Sequence, residues 1–190
     1  MTAARESRTV SGVSLRGIIL TVWGVFWVYW VISALMAKRG VRGGRTRLPG
    51  LVALVGVVLF RAFASHTVAV HSVASKAAGV VVFASGLGLA VWARIYLGRN
   101  WGMPMTQKRE PELVTTGPYR FVRHPIYSGI LLGVLGTALA LNIYWLIAFG
   151  VGLAYFAYSA RVEEQNLANS FPTTYPSYRT RTKMLIPFVL

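Results

Sequence analysis

Five long apolar stretches constrain the fold of this sequence more than any other feature. Residues 17–37 contain no charged side chain, and about 20 apolar residues are enough for a helix to cross a bilayer. Only 13% of all residues are charged, about half of the ~25% typical of soluble domains. Four further stretches follow, at residues 49–70, 77–93, 125–141 and 143–160. The sequence therefore predicts an all-α integral membrane protein with about five transmembrane helices.

The positive charge lies between the apolar stretches. The chain has 20 Lys and Arg residues against five acidic residues. With five spans, fifteen of those 20 basic residues fall on one side, in residues 38–47, in residues 94–123 and after residue 160. The positive-inside rule then predicts a cytoplasmic C-terminus, in a bacterial or archaeal plasma membrane or in the endoplasmic reticulum of a eukaryote. Because these basic segments are short and separated by lipid-length stretches, we expect contacts with membrane lipids and no nucleic-acid binding.

The connections between the apolar stretches are unequal. Little more than Asn142 separates the fourth from the fifth, which predicts a tight antiparallel helical hairpin. Glycines in both of its helices would allow close backbone approach, although glycine is also ordinary in membrane helices. They are Gly129, Gly133 and Gly136 in the first helix and Gly150 and Gly152 in the second.

The second half of the chain holds a long loop and a mixed tail. The loop at residues 98–124 has too many large apolar side chains for a disordered linker, so we expect it to be structured. The fifth helix should extend into the cytoplasm to about Asn169 and break at Phe171 and Pro172. We predict one domain over residues 1–190, with three N-terminal spans in residues 1–97 and the loop, the hairpin and the C-terminal segment in residues 98–190.

Polar residues that suit a binding site cluster at the predicted cytoplasmic face. Pro125 suits the first turn of a helix, so His124 should lie at a helix start whose free N–H groups favour an anionic ligand group. Glu163 and Glu164 follow a lipid-length helix, where unpaired carboxylates are costly, and interfacial salt bridges are the alternative explanation for them. With no cysteine and with His66 and His71 off the i, i+4 spacing, we expect no metal site.

Two motifs in this region resemble a known family. Residues 113–120 (LVTTGPYR) and 123–129 (RHPIYSG), followed by Glu163-Glu164 and Ile186-Pro187, are similar to the core of the isoprenylcysteine carboxyl methyltransferases. The pattern also occurs in the related phospholipid N-methyltransferases. The resemblance covers residues 97–187, about half of the chain.

The resemblance implies a membrane enzyme that binds S-adenosylmethionine and methylates a lipophilic acceptor, such as a prenylcysteine carboxylate, at the cytoplasmic interface. It implies cofactor contacts from the loop and from the helix start, and catalytic or binding roles for the two glutamates and an arginine. The implied cofactor-binding residues are Val114, Gly117, Tyr119, Arg123, His124, Pro125, Tyr127 and Glu163. The implied catalytic residues are Glu164, Arg181 and Glu163, with Arg179 as the second choice for the arginine.

Helix geometry adds an expectation about the two glutamates, because adjacent helical residues point about 100° apart. We expect Glu164 to face the ligand and Glu163 to pair with an arginine. Two other functions stay open: a phospholipid or amine N-methyltransferase, and an NADPH-dependent enzyme resembling the sterol reductases.

Overall fold

The computed structural model describes residues 14–35, 40–41, 70, 72–101, 107–108 and 112–186. The helices consist largely of apolar residues. Two short strands, β1 (Gly40–Val41) and β2 (Gln107–Lys108), pair in antiparallel fashion. Single 3₁₀ turns cover Gly98–Asn100 and Gly117–Arg120. The helices are α1 (Leu15–Leu35), α2 (Val73–Leu97), α3 (Pro125–Ala140), α4 (Trp145–Ser170) and α5 (Tyr175–Arg181).

Four of the five predicted spans correspond to helices. Three of them, α1, α2 and α4, are long and apolar enough to cross a membrane, and the chain is an integral membrane protein. The fourth predicted span forms the 16-residue helix α3, which is about 24 Å long at 1.5 Å per residue, and most of its residues are buried. The second predicted span, residues 49–70, lies outside the described residues except for Val70.

Glycines on α2 and α3 bring these two helices into backbone contact. A methyl group added at Gly86 would lie 2.7 Å from the carbonyl oxygen of Gly129, and one added at Gly136 would lie 2.6 Å from that of Gly79. Because Gly79 meets Gly136 and Gly86 meets Gly129, the two helices run antiparallel. Small residues allow this approach where any larger side chain would separate the helices.

The glycines of α3 therefore lie at the interface with α2, whereas the expected interface was the one with α4. Leu141–Tyr144 alone separate α3 and α4, as the sequence predicts for a tight hairpin. On α4, however, Gly150 faces open space and Gly152 meets only Leu131, at 3.4 Å. The prediction of close glycine contact within the hairpin is wrong, because the glycine face of α3 is turned towards α2.

Helix α1 packs beside α2 and α3 and runs in the same direction as α2. Its Trp23 donates a hydrogen bond to the buried hydroxyl of Thr137 (3.1 Å) and contacts the ring of Phe83 (5.7 Å). Near their C-terminal ends, Ser33 of α1 accepts hydrogen bonds from Arg94 of α2. The C-terminal ends of α1, α2 and α4 and the start of α3 therefore share one end of the bundle.

Candidate functional site

The predicted site residues meet where α3 begins beside the last turns of α4. Helix α4 continues to Ser170 and ends before Phe171, which confirms the predicted length of this helix and its break. This extension carries Glu163 and Glu164 to the level of His124, the residue before α3. Pro125 occupies the first turn of α3 and is buried, as expected for a residue with no N–H to satisfy.

Glu164 forms a mostly buried ion pair with Arg123. The Nε of Arg123 lies 2.7 Å from Oε1 of Glu164, and only 8–9% of either side chain is exposed. The Nη1 group of Arg123 donates to the carbonyl oxygens of Arg179 (3.2 Å) and Thr182. Arg123 thus connects α4 to the C-terminal segment.

Glu163 has a different environment from its neighbour. Its Oε1 accepts a hydrogen bond of 2.6 Å from the hydroxyl of Tyr127, and its Oε2 lies 3.4 Å from Nδ1 of His124. The ring of Tyr127 stacks between His124 (5.4 Å) and Phe156 (4.5 Å). With 26% of its side chain exposed, Glu163 is the more accessible of the two carboxylates.

The arginine contacts that the sequence assigned to Glu163 are seen at Glu164. Glu164 pairs with Arg123 and approaches Nε of Arg179 at 3.7 Å, whereas the contacts of Glu163 are with Tyr127 and His124. Adjacent residues of a helix point about 100° apart, but the carboxylates of Glu163 and Glu164 both lie within 4 Å of His124. Glu163 is thus the more accessible carboxylate of the cluster.

His124 lies buried between the two carboxylates. Its Nδ1 is 3.4 Å from Glu163, and its Nε2 is 3.6 Å from Oε1 of Glu164. Burial lowers the pKa of the imidazole, but its contacts with Glu163 and Glu164 outweigh burial and raise the pKa above its ordinary value. Within the described residues, Nε2 has no partner at hydrogen-bond distance, and a buried polar atom of this kind ordinarily has one.

The C-terminal segment binds the start of α3 through backbone hydrogen bonds. The backbone N–H of Arg123 donates to the carbonyl oxygen of Lys183 (2.8 Å), and that of His124 donates to Met184 (3.1 Å). The hydroxyl of Ser128 donates to the carbonyl oxygen of Leu185. The expectation that free N–H groups surround His124 is therefore wrong for these two amides, because chain carbonyls occupy them.

The predicted loop contacts lie beside this cluster. Tyr119 is buried, donates a hydrogen bond of 3.4 Å to the carbonyl oxygen of Ala93, and accepts one of 2.7 Å from Tyr178 at its own carbonyl. Gly117 has a φ of +57°, and a methyl group there would collide with the ring of Tyr96. Val114 is half-buried and packs against the apolar core. Burial raises the pKa of Tyr178 to about 12, so its hydroxyl is a neutral donor.

The two candidate arginines differ in position. Arg179 is 63% exposed and approaches Glu164 at 3.7 Å. Arg181 is also exposed, but its Nε donates to the carbonyl oxygen of Ser177 on its own helix. Among the described contacts, none joins Arg181 to the glutamates. Tyr175, which sequence reasoning left out of the site, is 1% exposed and has a hydroxyl with no hydrogen-bond partner among the described residues.

The fold and the site define a class: helical integral membrane proteins with a buried, charged polar site at one end of their apolar helices. The particular family follows from sequence comparison. Residues 74–174, just over half of the chain, match the family described as phospholipid methyltransferase, and the chain belongs to this family. The resemblance to isoprenylcysteine carboxyl methyltransferases is confirmed by relatives that bear that name.

Curated relatives are similar to this chain over part of its length. It is 36% identical over 115 residues to protein-S-isoprenylcysteine O-methyltransferase B of Arabidopsis thaliana, covering 58% of each chain. It is 28% identical over 146 residues to methanethiol S-methyltransferase of a Pseudomonas strain, covering 72% of this chain and 56% of the relative. It is also 33% identical over 105 residues to the cobalt-zinc-cadmium resistance protein CzcN of Cupriavidus metallidurans, covering 53% and 48%. The chain thus spans about half the length of the curated relatives it matches.

Proposed function

We propose that this chain is an S-adenosylmethionine-dependent methyltransferase that acts on a lipophilic acceptor at the cytoplasmic face of a membrane. The observation that carries the proposal is the convergence of Glu163, Glu164 and Tyr127 on a buried histidine at one end of apolar helices. Family membership supports the reaction class. Relatives named for methylation of isoprenylcysteine and of methanethiol support an acceptor with a lipophilic or small apolar part.

The residues present fit the proposed cofactor. His124 Nε2, which lies 3.6 Å from Glu164, and the Tyr175 hydroxyl are buried polar atoms with no hydrogen bond among the described residues, so the site has hydrogen-bonding capacity to offer. Glu163 would hold an ammonium or hydroxyl group of the cofactor, and Tyr119 and Val114 would line its apolar part. When bound, S-adenosylmethionine supplies the methyl group on its sulfonium sulfur. The chain's own contribution is to orient both reactants and exclude water.

A five-span architecture with a cytoplasmic C-terminus belongs to the same proposal. Helices α1 and α2 run in the same direction, which agrees with an odd number of spans in the whole prediction. The distribution of Lys and Arg supports the orientation. Under this arrangement the site opens at the headgroup level, where a lipophilic acceptor would reach it without leaving the bilayer.

Ligand binding to the purified, detergent-solubilised protein tests the proposed function. Calorimetry should detect binding of S-adenosylmethionine and none of NADPH. Glu163→Gln should weaken the binding of S-adenosylmethionine at least tenfold, about 1.4 kcal/mol, whereas Arg181→Gln serves as a comparison outside the cluster. Binding of NADPH alone would favour a reductase and overturn the proposal.

The second candidate is an amine or phospholipid N-methyltransferase, which the family description favours. A carboxylate acceptor is methylated without loss of a proton, whereas an ammonium acceptor must lose one first. The two candidates are separated by the product formed from a prenylcysteine and from phosphatidylethanolamine. Base-labile methyl esters indicate the first, and base-stable N-methyl groups indicate the second.

A further inference from the structure

Two exposed cations lie at the site end of the bundle, beside an exposed aromatic ring. Arg120 ends the 3₁₀ turn Gly117–Arg120, and its guanidinium carbon lies 4.4 Å from the centre of the Phe121 ring. Phe121 is 48% exposed, and Lys183, in the segment after α5, is exposed as well. Among the described residues, no carboxylate lies within ion-pair distance of Arg120 or Lys183. Both charges are therefore accessible to a partner from outside the chain.

Backbone contacts bring these two cations onto one surface. Val122 and Lys183 pair as a parallel β-bridge, so the backbone of Lys183 lies two residues from Arg120. A second contact joins the same two segments, because the hydroxyl of Tyr178 donates a hydrogen bond of 2.7 Å to the carbonyl oxygen of Tyr119. Arg120 and Lys183 thus belong to chain segments that pack side by side. Since both side chains are long, one anionic surface can meet the two of them.

Neighbouring aromatic residues indicate the depth of this surface in the membrane. Trp92 and Tyr96 lie in the last turns of α2, are 44% and 47% exposed, and have ring centres 5.9 Å apart. A methyl group at Gly117 would collide with the ring of Tyr96, so Tyr96 lies against the turn that ends at Arg120. Exposed Trp and Tyr at the end of a spanning helix are typical of the membrane–water interface. The turn is therefore at the level of the lipid headgroups.

The chemistry of the surface fits an anionic lipid better than an acidic protein. A Lys or Arg close to the headgroups strengthens the attraction to anionic phospholipids about fivefold. Phe121 and Ile186 are each 48% exposed, and apolar side chains next to cations gain further affinity by entering the boundary between headgroups and acyl chains. An acidic protein would satisfy the charges but would leave the interfacial position of the aromatic residues without a role.

We propose that Arg120, Phe121 and Lys183 form a binding surface for the headgroup of an anionic phospholipid. The inference goes beyond the proposed function, because this contact does not depend on methyl transfer. The segment that carries Lys183 also accepts backbone hydrogen bonds from Arg123 and His124. A lipid that pairs with both cations therefore joins the two segments from outside and holds the C-terminal segment against the start of α3.

Thermal unfolding of the purified full-length chain in a neutral detergent tests the surface, with phosphatidylglycerol as the probe. Added phosphatidylglycerol should raise the melting temperature by about 3–5 °C, and high salt should remove the effect. Phosphatidylcholine and glycerol 3-phosphate at the same concentrations should not raise it. Equal stabilisation by phosphatidylcholine would show a response to any lipid, and equal stabilisation by glycerol 3-phosphate would assign the surface to a soluble anion. Either result overturns the proposal.

Matched variants separate this surface from the general positive charge of the protein. Arg120→Gln and Lys183→Gln should each raise the phosphatidylglycerol concentration for half-maximal stabilisation about fivefold. Arg161→Gln removes an exposed charge from α4, outside both segments, and Lys76→Gln removes one near the start of α2. Both controls should stay within about twofold of wild type. Equal losses in the controls would mean that the attraction is diffuse, and would overturn the surface.

Hydrogen exchange tests the effect on the C-terminal segment. In phosphatidylcholine nanodiscs, inclusion of phosphatidylglycerol should slow amide exchange in residues 121–128 of the wild-type protein and leave it unchanged in the double variant Arg120→Gln/Lys183→Gln. Stabilisation without slower exchange in these residues would overturn the proposed hold on the segment. Stabilisation by polyglutamate but not by phosphatidylglycerol would assign the surface to an acidic protein and overturn the lipid proposal.

Discussion

Glu163 and Glu164 are adjacent in sequence but differ in what each is bonded to, and conservative substitutions should separate their roles. Glu164→Gln leaves the largely buried Arg123 without its counter-charge, so we expect a loss of about 2–4 kcal/mol in the free energy of unfolding. Glu163→Gln should change stability less, because the Glu163 side chain is 26% exposed and contacts Tyr127 and His124. Thermal unfolding in detergent measures both. Equal destabilisation by the two variants would contradict the assignment.

His124 predicts a pH dependence of stability. Its folded-state pKa is raised above the ordinary value of 6.5, so folding favours the protonated imidazole. That contribution is fully present below pH 6.5 and is lost as the pH rises through the raised folded-state value. The melting temperature of the wild-type protein should therefore fall, relative to that of His124→Gln, as the pH is increased above 6.5. If the melting temperatures of the two proteins change with pH in the same way, protonation of the imidazole does not contribute to stability.

At the scale of the helices, the contact between α2 and α3 depends on the absence of side chains. Gly136→Ala would place a methyl group against the backbone of Gly79 and Phe83, and overpacking of this kind costs about 1–3 kcal/mol. Gly88→Ala on α2 is the matched control, since nothing lies within 4 Å of the added methyl group. Resistance to unfolding in a denaturing detergent compares the two. A stable Gly136→Ala protein would mean that the helices separate without cost.

At the scale of the whole molecule, the orientation in the membrane is directly testable because the chain has no cysteine. Lys183→Cys and Val73→Cys each introduce one exposed thiol, at opposite ends of the helical bundle. In intact cells, a membrane-impermeant maleimide should label Val73→Cys and leave Lys183→Cys unlabelled until the membrane is opened. The reverse pattern would invert the proposed topology and place the site on the outer face.

The sequence by itself determined the class of the protein and indicated that Arg123, His124, Tyr127, Glu163 and Glu164 belong together. Apolar length predicts α1, α2 and α4 because spanning a bilayer requires about 20 apolar residues whatever the tertiary contacts. The motif at residues 123–129 and the pair Glu163-Glu164 indicate the family, because they are local in sequence. The C-terminal end of α4, which carries the two glutamates, is also predicted from the local sequence, because the helix breaks at Phe171.

The tertiary structure alone decided which groups meet. A helix periodicity says which face a residue occupies but not which neighbour covers that face, so the glycines of α3 were assigned to α4 rather than to α2. The same limit applied to Glu163 and Glu164, whose contacts are with the start of α3 and with Arg179 of α5. The bonds from Arg123 and His124 to Lys183 and Met184 join residues about 60 positions apart. Such long-range contacts depend on how the whole chain packs, and no local pattern encodes them.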